Sequence, residues 1–458
     1  MKIKYTNILY IKRQPIGQTG GEFSHYFCIG RPNPSTYGGR TSVFGLRSSC
    51  LFFLFFAVHF LNAQTNPHII KQYPFVNYDS SEVKFFNDTI SFNRFYSKFD
   101  TLVSIGKGKL NILQIGGSHI QADVWSDQIR KNFQNISPNL NGGRGFIFPY
   151  KLAKTNNPHY YDVTSTGNWT GYRNAVRSHQ STFGVSGITA TTTDSLSSFK
   201  LEFKKGENPF YDFNSIKVFH DIDSTSFCLE LVSDSCISIE VNSEIGYTEF
   251  KFDNYQEVAE FKIYKTDSFQ THFNLYGLSL DNDDNGMVYT SIGVNGASTS
   301  SYLRNQLFVP HLKAINPDLV IFCIGINDAF EPGFCEKCYE NNYDSLVAMI
   351  KMVNPDCEFL FVSNTDSYYK KKIANKRAFK VQDIMINLAK KHHAGYYDLF
   401  TVMGGLGSIK TWQNNGLAQK DRVHLTKNGY ILLGDLMFSA LMKEYGRSLP
   451  NPSEGGAK

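Results

Sequence analysis

The sequence predicts an α/β fold whose chain is interrupted by an antiparallel β-sandwich. Short apolar runs ("NILQIG", "MVYTSIGV", "LVIFCIGI", "FLFVSN") alternate with amphipathic helical segments such as "YDSLVAMIKMV" and "RAFKVQDIMINLAKKH". That alternation marks a parallel sheet covered by helices on both faces. From about residue 155 to 283 the period instead becomes two. Phe199, Leu201 and Phe203 alternate with Lys200, Glu202 and Lys204, and Ile237, Ile239 and Val241 with Ser238, Glu240 and Asn242. Asn, Asp, Gly and Ser turns separate these runs, as in a sandwich of short strands.

Along the chain, residues 1–46 carry no periodic pattern. Arg47, an apolar run from Cys50 to Leu61 and the small Ala63 have the layout of a secretory signal over 47–63, cut after Ala63. The run is shorter than the roughly 20 apolar residues a bilayer span needs. A signal belongs at an N-terminus, so residues 1–46 read as an extension ahead of the true start. Residues 64–106 form an N-terminal segment whose "FNRFYSKFDTLVSI" is an amphipathic helix. The α/β domain then occupies 107–154, with a helix in "DVWSDQIRKNF", and resumes over 286–447. The sandwich fills 155–285, inserted at a surface loop, and 448–458 is a disordered tail. The insert is long enough for a core of its own. Its two ends must lie close together, because "NILQIG" and "MVYTSIG" belong to one sheet.

The charge of +5 suggests nucleic acid, but its distribution removes that reading. Residues 1–63 hold seven of the 46 basic residues and one of the 41 acidic ones, leaving 39 basic against 40 acidic in the rest. A near-neutral body has no electrostatic footprint for a phosphate backbone. Cys335 and Cys338 form a lone "CEKC", which suits a local disulfide or free thiols better than zinc. Cys228 and Cys236 flank an expected turn. Tyr368–Lys372 ("YYKKK") reads as a solvated helix start, His392 and His393 as the end of a helix, Arg144 as structural, and Trp412 as wall packing or a platform for a sugar.

Functional groups in parallel sheets gather on the loops that leave the C-terminal ends of strands. Three such loops carry pointed chemistry: "IGGSH" with Ser118 and His119, "IGVNGAST" with Asn295 and Gly296, and "IGINDA" with Asn327 and Asp328. A fourth element, "DRVHLTKNGY", sets Asp421 three residues before His424. Singly, each is a cap or a turn. Together they supply a nucleophile (Ser118), a distant base (His424), a carboxylate to orient it (Asp421) and three oxyanion donors: the N–H of Ser118, the N–H of Gly296 and the side-chain amide of Asn327. His119 is a poor base for its own neighbour, because adjacent side chains diverge.

The order "GGSH", "GVNGA", "GIND", "DRVH" resembles the blocks of the SGNH/GDSL hydrolase superfamily over about 107–150 and 286–447. The resemblance implies a flavodoxin-like three-layer α/β/α fold and ester hydrolysis without metal or cofactor, with Ser118, Gly296, Asn327 and His424 as the block residues and Asp421 as the third triad member. Gly117 stands where the family usually has Asp. "LQIGGSHIQADVWSDQIRKNF", then "GGRGFIFPY" and an inserted β-domain, are similar to bacterial peptidoglycan O-acetylesterases, in which a sandwich like a carbohydrate-binding module interrupts the catalytic domain at this point. The expectation is therefore an exported, periplasmic or extracellular O-acetylesterase. Its partner is an acetylated glycan, with no nucleic acid and no integral membrane segment in the mature chain. An O-acetyltransferase or lipid esterase with the same triad, and a catalytically dead glycan-binding protein, are the alternatives.

Overall fold

The computed structural model describes residues 71–86, 92–206, 209–233 and 235–449. The extension at 1–46, the signal at 47–63 and residues 450–458 of the tail lie outside them. In chain order the elements begin with strand β1 (Val83–Lys84), helix α1 (Asn93–Ile105), β2 (Lys109–Gly116), α2 (Ser118–Gln121) and α3 (Trp125–Gln134). A strand-rich region follows: β3 (Gly145–Ile147), β4 (Tyr161–Thr166), β5 (Thr170–Arg173), β6 (Ile188–Thr192), β7 (Leu196–Phe203), β8 (Phe213–His220), β9 (Cys228–Leu231), β10 (Cys236–Asn242), β11 (Tyr247–Gln256), β12 (Val258–Tyr264) and β13 (Phe273–Asp281). The α/β pattern then resumes with β14 (Gly286–Gly293), α4 (Thr299–Tyr302), α5 (Phe308–Ile315), β15 (Leu319–Cys323), α6 (Ile326–Phe330), α7 (Glu336–Val353) and β16 (Glu358–Val362). A hairpin of β17 (Tyr368–Tyr369) and β18 (Ile373–Ala374) precedes α8 (Arg377–Lys391), β19 (Gly395–Tyr397), α9 (Leu399–Val402), α10 (Ser408–Asn414) and α11 (Lys427–Ser448).

The main sheet runs β1-β19-β16-β15-β2-β14. β14, β2, β15, β16 and β19 are parallel, and β1 closes one edge antiparallel. Numbered by chain order, the parallel strands lie 2-1-3-4-5, the flavodoxin-like order. The order reverses beside β2, between β14 and β15, so the loops after those three strands open onto one crevice. β2 is buried on both faces. Leu110 and Ile112 pack with Phe95, Phe99 and Leu102 of α1, and with residues of α3 and α11. Leu113 and Ile115 face the opposite side, with α5, α7 and α8.

The insert is two antiparallel sheets, β4-β7-β12-β9 facing β10-β11-β8-β13-β6-β5. Phe250 and Phe261 meet across them with ring centroids 5.5 Å apart, and Trp169 sits edge-on to Phe199 and Phe273. Its core is continuous with that of the α/β domain, which differs from the separate core expected from the sequence. His311 of α5 is buried between Phe219 and Tyr276 of the insert, at 4.8 and 5.6 Å between centroids. β3, from the segment read as part of the α/β domain, pairs with β13, and Phe146 lies over the bare backbone of Gly277. No residue but glycine fits there.

Other expectations are corrected. Ile237, Ile239 and Val241 face solvent, at 65%, 62% and 61% exposure, because the register of β10 turns Cys236 against the core instead. Tyr368–Lys372 forms a hairpin and its turn rather than a helix start. Cys228 and Cys236 begin strands of different sheets and are free thiols. Cys335 and Cys338 form a disulfide at the start of α7. Trp412 is fully buried, its indole N–H donating to the Met403 carbonyl at 3.0 Å, so it offers no sugar platform.

One buried carboxylate joins the two parts of the chain. Asp123, at φ 50, lies two residues beyond the end of α2. Its oxygens accept from Arg130 Nη2 at 2.9 Å, Arg144 Nη2 at 2.8 Å and Ser291 Oγ at 2.8 Å, and also from Ser126 and Tyr160. Arg130 also donates to Asp127 and, through Nε, to the Tyr289 carbonyl of β14, both at 2.9 Å. Burial alone would raise the Asp123 carboxyl, but the two guanidinium groups and two hydroxyls hold it well below the usual carboxylate range. Its contribution to stability is therefore present above the ordinary aspartate pKa of about 3.9 and lost as pH falls through the lower folded value. Replacing Asp123 by Ala leaves buried Arg144 without its carboxylate and Arg130 with Asp127 alone. We expect it to lower the unfolding free energy by about 3–5 kcal/mol, read from the urea midpoint at neutral pH; an unchanged midpoint contradicts the assignment.

Candidate active site

β2, β14 and β15 end at one place because glycines let their termini touch. A Cβ on Gly293 would lie 2.3 Å from the Gln121 nitrogen, and one on Gly116 would lie 2.9 Å from the Cys323 carbonyl oxygen. Ser118 opens α2 at this junction. Its Oγ is 2.8 Å from His424 Nε2, and His424 Nδ1 is 2.7 Å from Asp421 Oδ2. The other Asp421 oxygen accepts from the backbone N–H of Val423 and His424, each at 3.0 Å. Burial would raise the Asp421 carboxyl, but the His424 ring and these two N–H groups hold it below its ordinary value. The side chains of His424 and Asp421 keep 35% and 30% of their surface exposed, so the relay is open to a substrate.

The other predicted residues converge here. Gly296 is exposed and at φ 83, in the loop after β14. Asn327 starts the turn after β15, and its Nδ2 donates to the Ala297 carbonyl at 2.8 Å. An amide has two hydrogens, so one remains for another acceptor. A Cβ on Gly117 would meet Asn327 Nδ2 at 3.4 Å, which places the Ser118 and Asn327 loops in contact.

Three groups have positioning roles that the sequence does not show, although His119 and Asp328 lie in its motifs. Gln121 donates to Thr155 Oγ1 at 3.0 Å and Asn156 Oδ1 at 2.8 Å, and accepts from the Asn295 N–H at 2.7 Å; it ties the Ser118 helix to the start of the insert and to the Gly296 loop. Asp328 accepts from the Thr299 hydroxyl at 2.6 Å and the Thr299 N–H at 3.1 Å, which fastens the Asn327 turn to α4. Burial pushes its carboxyl up to about 6 despite those bonds. His119 points away from Ser118 and bonds Tyr430 Oη through Nδ1 at 2.7 Å, its ring 5.3 Å from that of His424. Neither "SHIQA" nor "INDA" exposes these roles, because each depends on a partner more than 25 residues away.

Among the described residues, no group of three or more His, Cys, Asp or Glu is arranged to hold a metal ion, and no helix is long and apolar enough to cross a membrane.

A parallel sheet in this strand order, with Ser, Gly, Asn and Asp–His converging at its switch point, is the fold of an SGNH/GDSL hydrolase. Residues 270–432 match the GDSL-like lipase/acylhydrolase family. That span contains Gly296, Asn327, Asp421 and His424, begins just before β13, the last strand of the insert, and does not include Ser118, which the fold brings to it. The chain is similar in structure to a peptidoglycan O-acetylesterase at 22% identity, over 80% of this chain and 99% of that one, with a TM-score of 0.62. It also matches a lipase/acylhydrolase from Enterococcus faecalis at 18% identity, over 37% of this chain and 80% of that one, with a TM-score of 0.27. A GDSL-like lipase from Bacteroides thetaiotaomicron matches at 19% identity, over 35% and 77%, with a TM-score of 0.28. No curated protein matches the chain in sequence.

Burial holds the His119 ring at about 3, with His424 beside it adding to the effect, and burial holds His220 at about 4 and His311 at about 3. Each ring is neutral when folded and takes its proton only when the chain unfolds. Stability should therefore fall as pH drops below the ordinary histidine value of about 6.5, by up to about 1.4 kcal/mol per pH unit for each ring. Urea midpoints between pH 7 and pH 5 test this, and His119→Gln should flatten the slope. A midpoint that does not change with pH over this range contradicts it.

Proposed function

We propose that the protein is an exported serine esterase that removes O-acetyl groups from peptidoglycan or another polysaccharide through Ser118, His424 and Asp421. The observation that carries this reading is the unbroken hydrogen-bond relay from Ser118 Oγ through His424 to Asp421 beside two further donor loops. Export is supported by the signal-like stretch 47–63, and the Cys335–Cys338 disulfide suits an oxidising compartment.

In this reading Ser118 Oγ attacks the acetyl carbonyl carbon while His424 Nε2 takes its proton. Asp421 keeps Nδ1 protonated and facing it, and stabilises the imidazolium that forms. The charge gathering on the carbonyl oxygen is met by the N–H groups of Ser118 and Gly296 and by the free hydrogen of the Asn327 amide. The C–O bond to the sugar breaks, and the proton on His424 passes to the departing sugar oxygen. Water then attacks the acetyl-serine carbonyl, giving its proton to His424. Acetate leaves as that proton returns to Ser118. No step calls on a metal or cofactor.

Acetate release from O-acetylated cell wall, beside hydrolysis of short- and long-chain aryl esters, tests the reading. Ser118→Ala and His424→Ala should each reduce the rate by roughly 10³-fold or more, with Asp421→Ala less severe, while the folded protein keeps its urea midpoint. Full activity in a folded Ser118→Ala protein removes the serine mechanism. Chelation by EDTA should leave the rate unchanged; a loss restored by zinc would point to metal-assisted chemistry instead.

A further inference from the structure

The insert reaches the proposed oxyanion donors from two sides. On the first, Asn156 at its start offers one oxygen to two donors: Oδ1 accepts from Gln121 Nε2 at 2.8 Å and from Asn295 Nδ2 at 2.7 Å. The Asn295 N–H in turn donates to Gln121 Oε1 at 2.7 Å. Gln121, Asn156 and Asn295 thus close a ring of three hydrogen bonds. Its corners lie on the helix that Ser118 opens, on the insert, and on the residue before Gly296. Gln121 is fully buried, so its amide depends on these partners rather than on water.

On the second side stands the loop between β5 and β6. Arg304, two residues beyond α4, donates through Nη1 to the carbonyls of Asn174 at 2.6 Å and Val176 at 3.0 Å, and through Nη2 to that of His179 at 2.7 Å. Asn174 Nδ2 donates to Asn305 Oδ1 at 3.0 Å, and Gln306 Oε1 accepts from the Phe183 N–H at 2.9 Å. Held in this way, the loop brings Ala175 to Gly296: a Cβ on Gly296 would lie 3.8 Å from that of Ala175, the distance of ordinary packing. Arg177 of the same loop comes within 3.8 Å of Glu331, the residue that follows α6 and its Asn327. One loop of the insert therefore borders both of the further donor loops beside Ser118.

The peptide that carries the Gly296 N–H needs such support. Gly296 sits at φ 83 without a side chain, so nothing of its own anchors it. Its neighbours are anchored: Asn295 by the ring of bonds, and Ala297 by its N–H to the Val294 carbonyl at 2.9 Å and by its carbonyl accepting from Asn327 Nδ2 at 2.8 Å. An oxyanion donor is effective when it is aimed before the charge develops, and a misplacement of about 1 Å costs on the order of 10²-fold in rate.

We propose that the insert completes the oxyanion site, with Asn156 as a positioning residue that aims the Gly296 N–H and the Arg304-held β5–β6 loop as the wall that keeps it there. This rests on the ester-hydrolase reading and goes beyond it: the insert is part of the catalytic unit, needed even for an ester too small to occupy a second site. A module that only gathers polymer would leave the turnover of such an ester untouched.

The test substrate is an aryl acetate. Asn156→Ala removes the shared acceptor and should lower kcat by about tenfold with KM within about twofold; adding Arg304→Gln should bring the loss in kcat to about 10²-fold. Asn156→Asp keeps the acceptor, because the hydrogen bonds of the Asn156 side chain all run through Oδ1, and should retain kcat within about threefold. Lys313→Ala breaks a different contact between insert and host, the 2.6 Å bond to Glu244, and should leave kcat unchanged. Rates are referred to the sites that a serine-directed phosphonate labels at completion, so unfolded protein does not enter kcat. An unchanged kcat in Asn156→Ala, a loss carried by KM alone, or an equal loss in Asn156→Asp overturns the positioning role. If the native protein hydrolyses no aryl acetate, the esterase reading fails, and backbone hydrogen exchange decides the tether on its own. Exchange about tenfold faster in the double variant than in the native protein, in a peptide spanning residues 294–297, upholds the tether, and equal rates overturn it.

Discussion

The Asp123 carboxylate is the point on which the arrangement turns. It lies two residues beyond the helix that Ser118 opens, and it binds at once to Arg130 of the following helix, to Ser291 of β14, and to Arg144 and Tyr160 at the entrance to the insert. Every one of these groups is buried or nearly so. Ion groups removed from water are costly unless all their hydrogen-bonding capacity is met. Here it is met only when the first strand–helix unit, β14 and the start of the insert stand in one relation. The clasp therefore fixes the turn bearing Ser118 against the strand that leads to Gly296, across a sequence separation of 168 residues.

The rest of the site follows from sheet order and close approach. The flavodoxin-like order puts β2 between β14 and β15, so the loops after all three open to one crevice. Glycines at strand ends remove the side chains that would hold those loops apart. Gln121, Asp328 and the Asn327 amide then bridge the loops pairwise. His424 reaches Ser118 from a fourth direction, on a loop shaped by Asp421 accepting two of its backbone N–H groups. The cleft is thus assembled from rigid strand ends, and the β17–β18 hairpin is hydrogen-bonded to the loop that carries the base.

The α/β framework and the convergence of Ser118, Gly296, Asn327, Asp421 and His424 are legible in the sequence because apolar runs and short motifs are local signals. The Asp123 clasp is not, since "QADVWSDQIR" looks like any polar helix start until Arg144 and Tyr160 fold over it. Alternation identified the strands of the insert but misassigned one face. In β10 the pattern is right, yet the register turns the isoleucines to solvent, and only pairing with β11 decides that. The hairpin at Tyr368–Lys372 was hidden because lysines at positive φ give no turn signal of the glycine or asparagine kind. The shared core was hidden for a different reason: periodicity shows that a face is apolar but not which apolar face it meets. His311 of α5 meets Phe219 of the insert.

In the proposed mechanism Ser118 carries the acyl group between ester and water. Rapid acid quenching during turnover of an aryl acetate, followed by peptide mass spectrometry, tests it directly. One added acetyl group is expected on the peptide containing Ser118, forming and decaying at the turnover rate and absent from Ser118→Ala protein. Turnover with no acetylated Ser118 peptide at any time, or with the acetyl group on another residue that decays at the turnover rate, would contradict it.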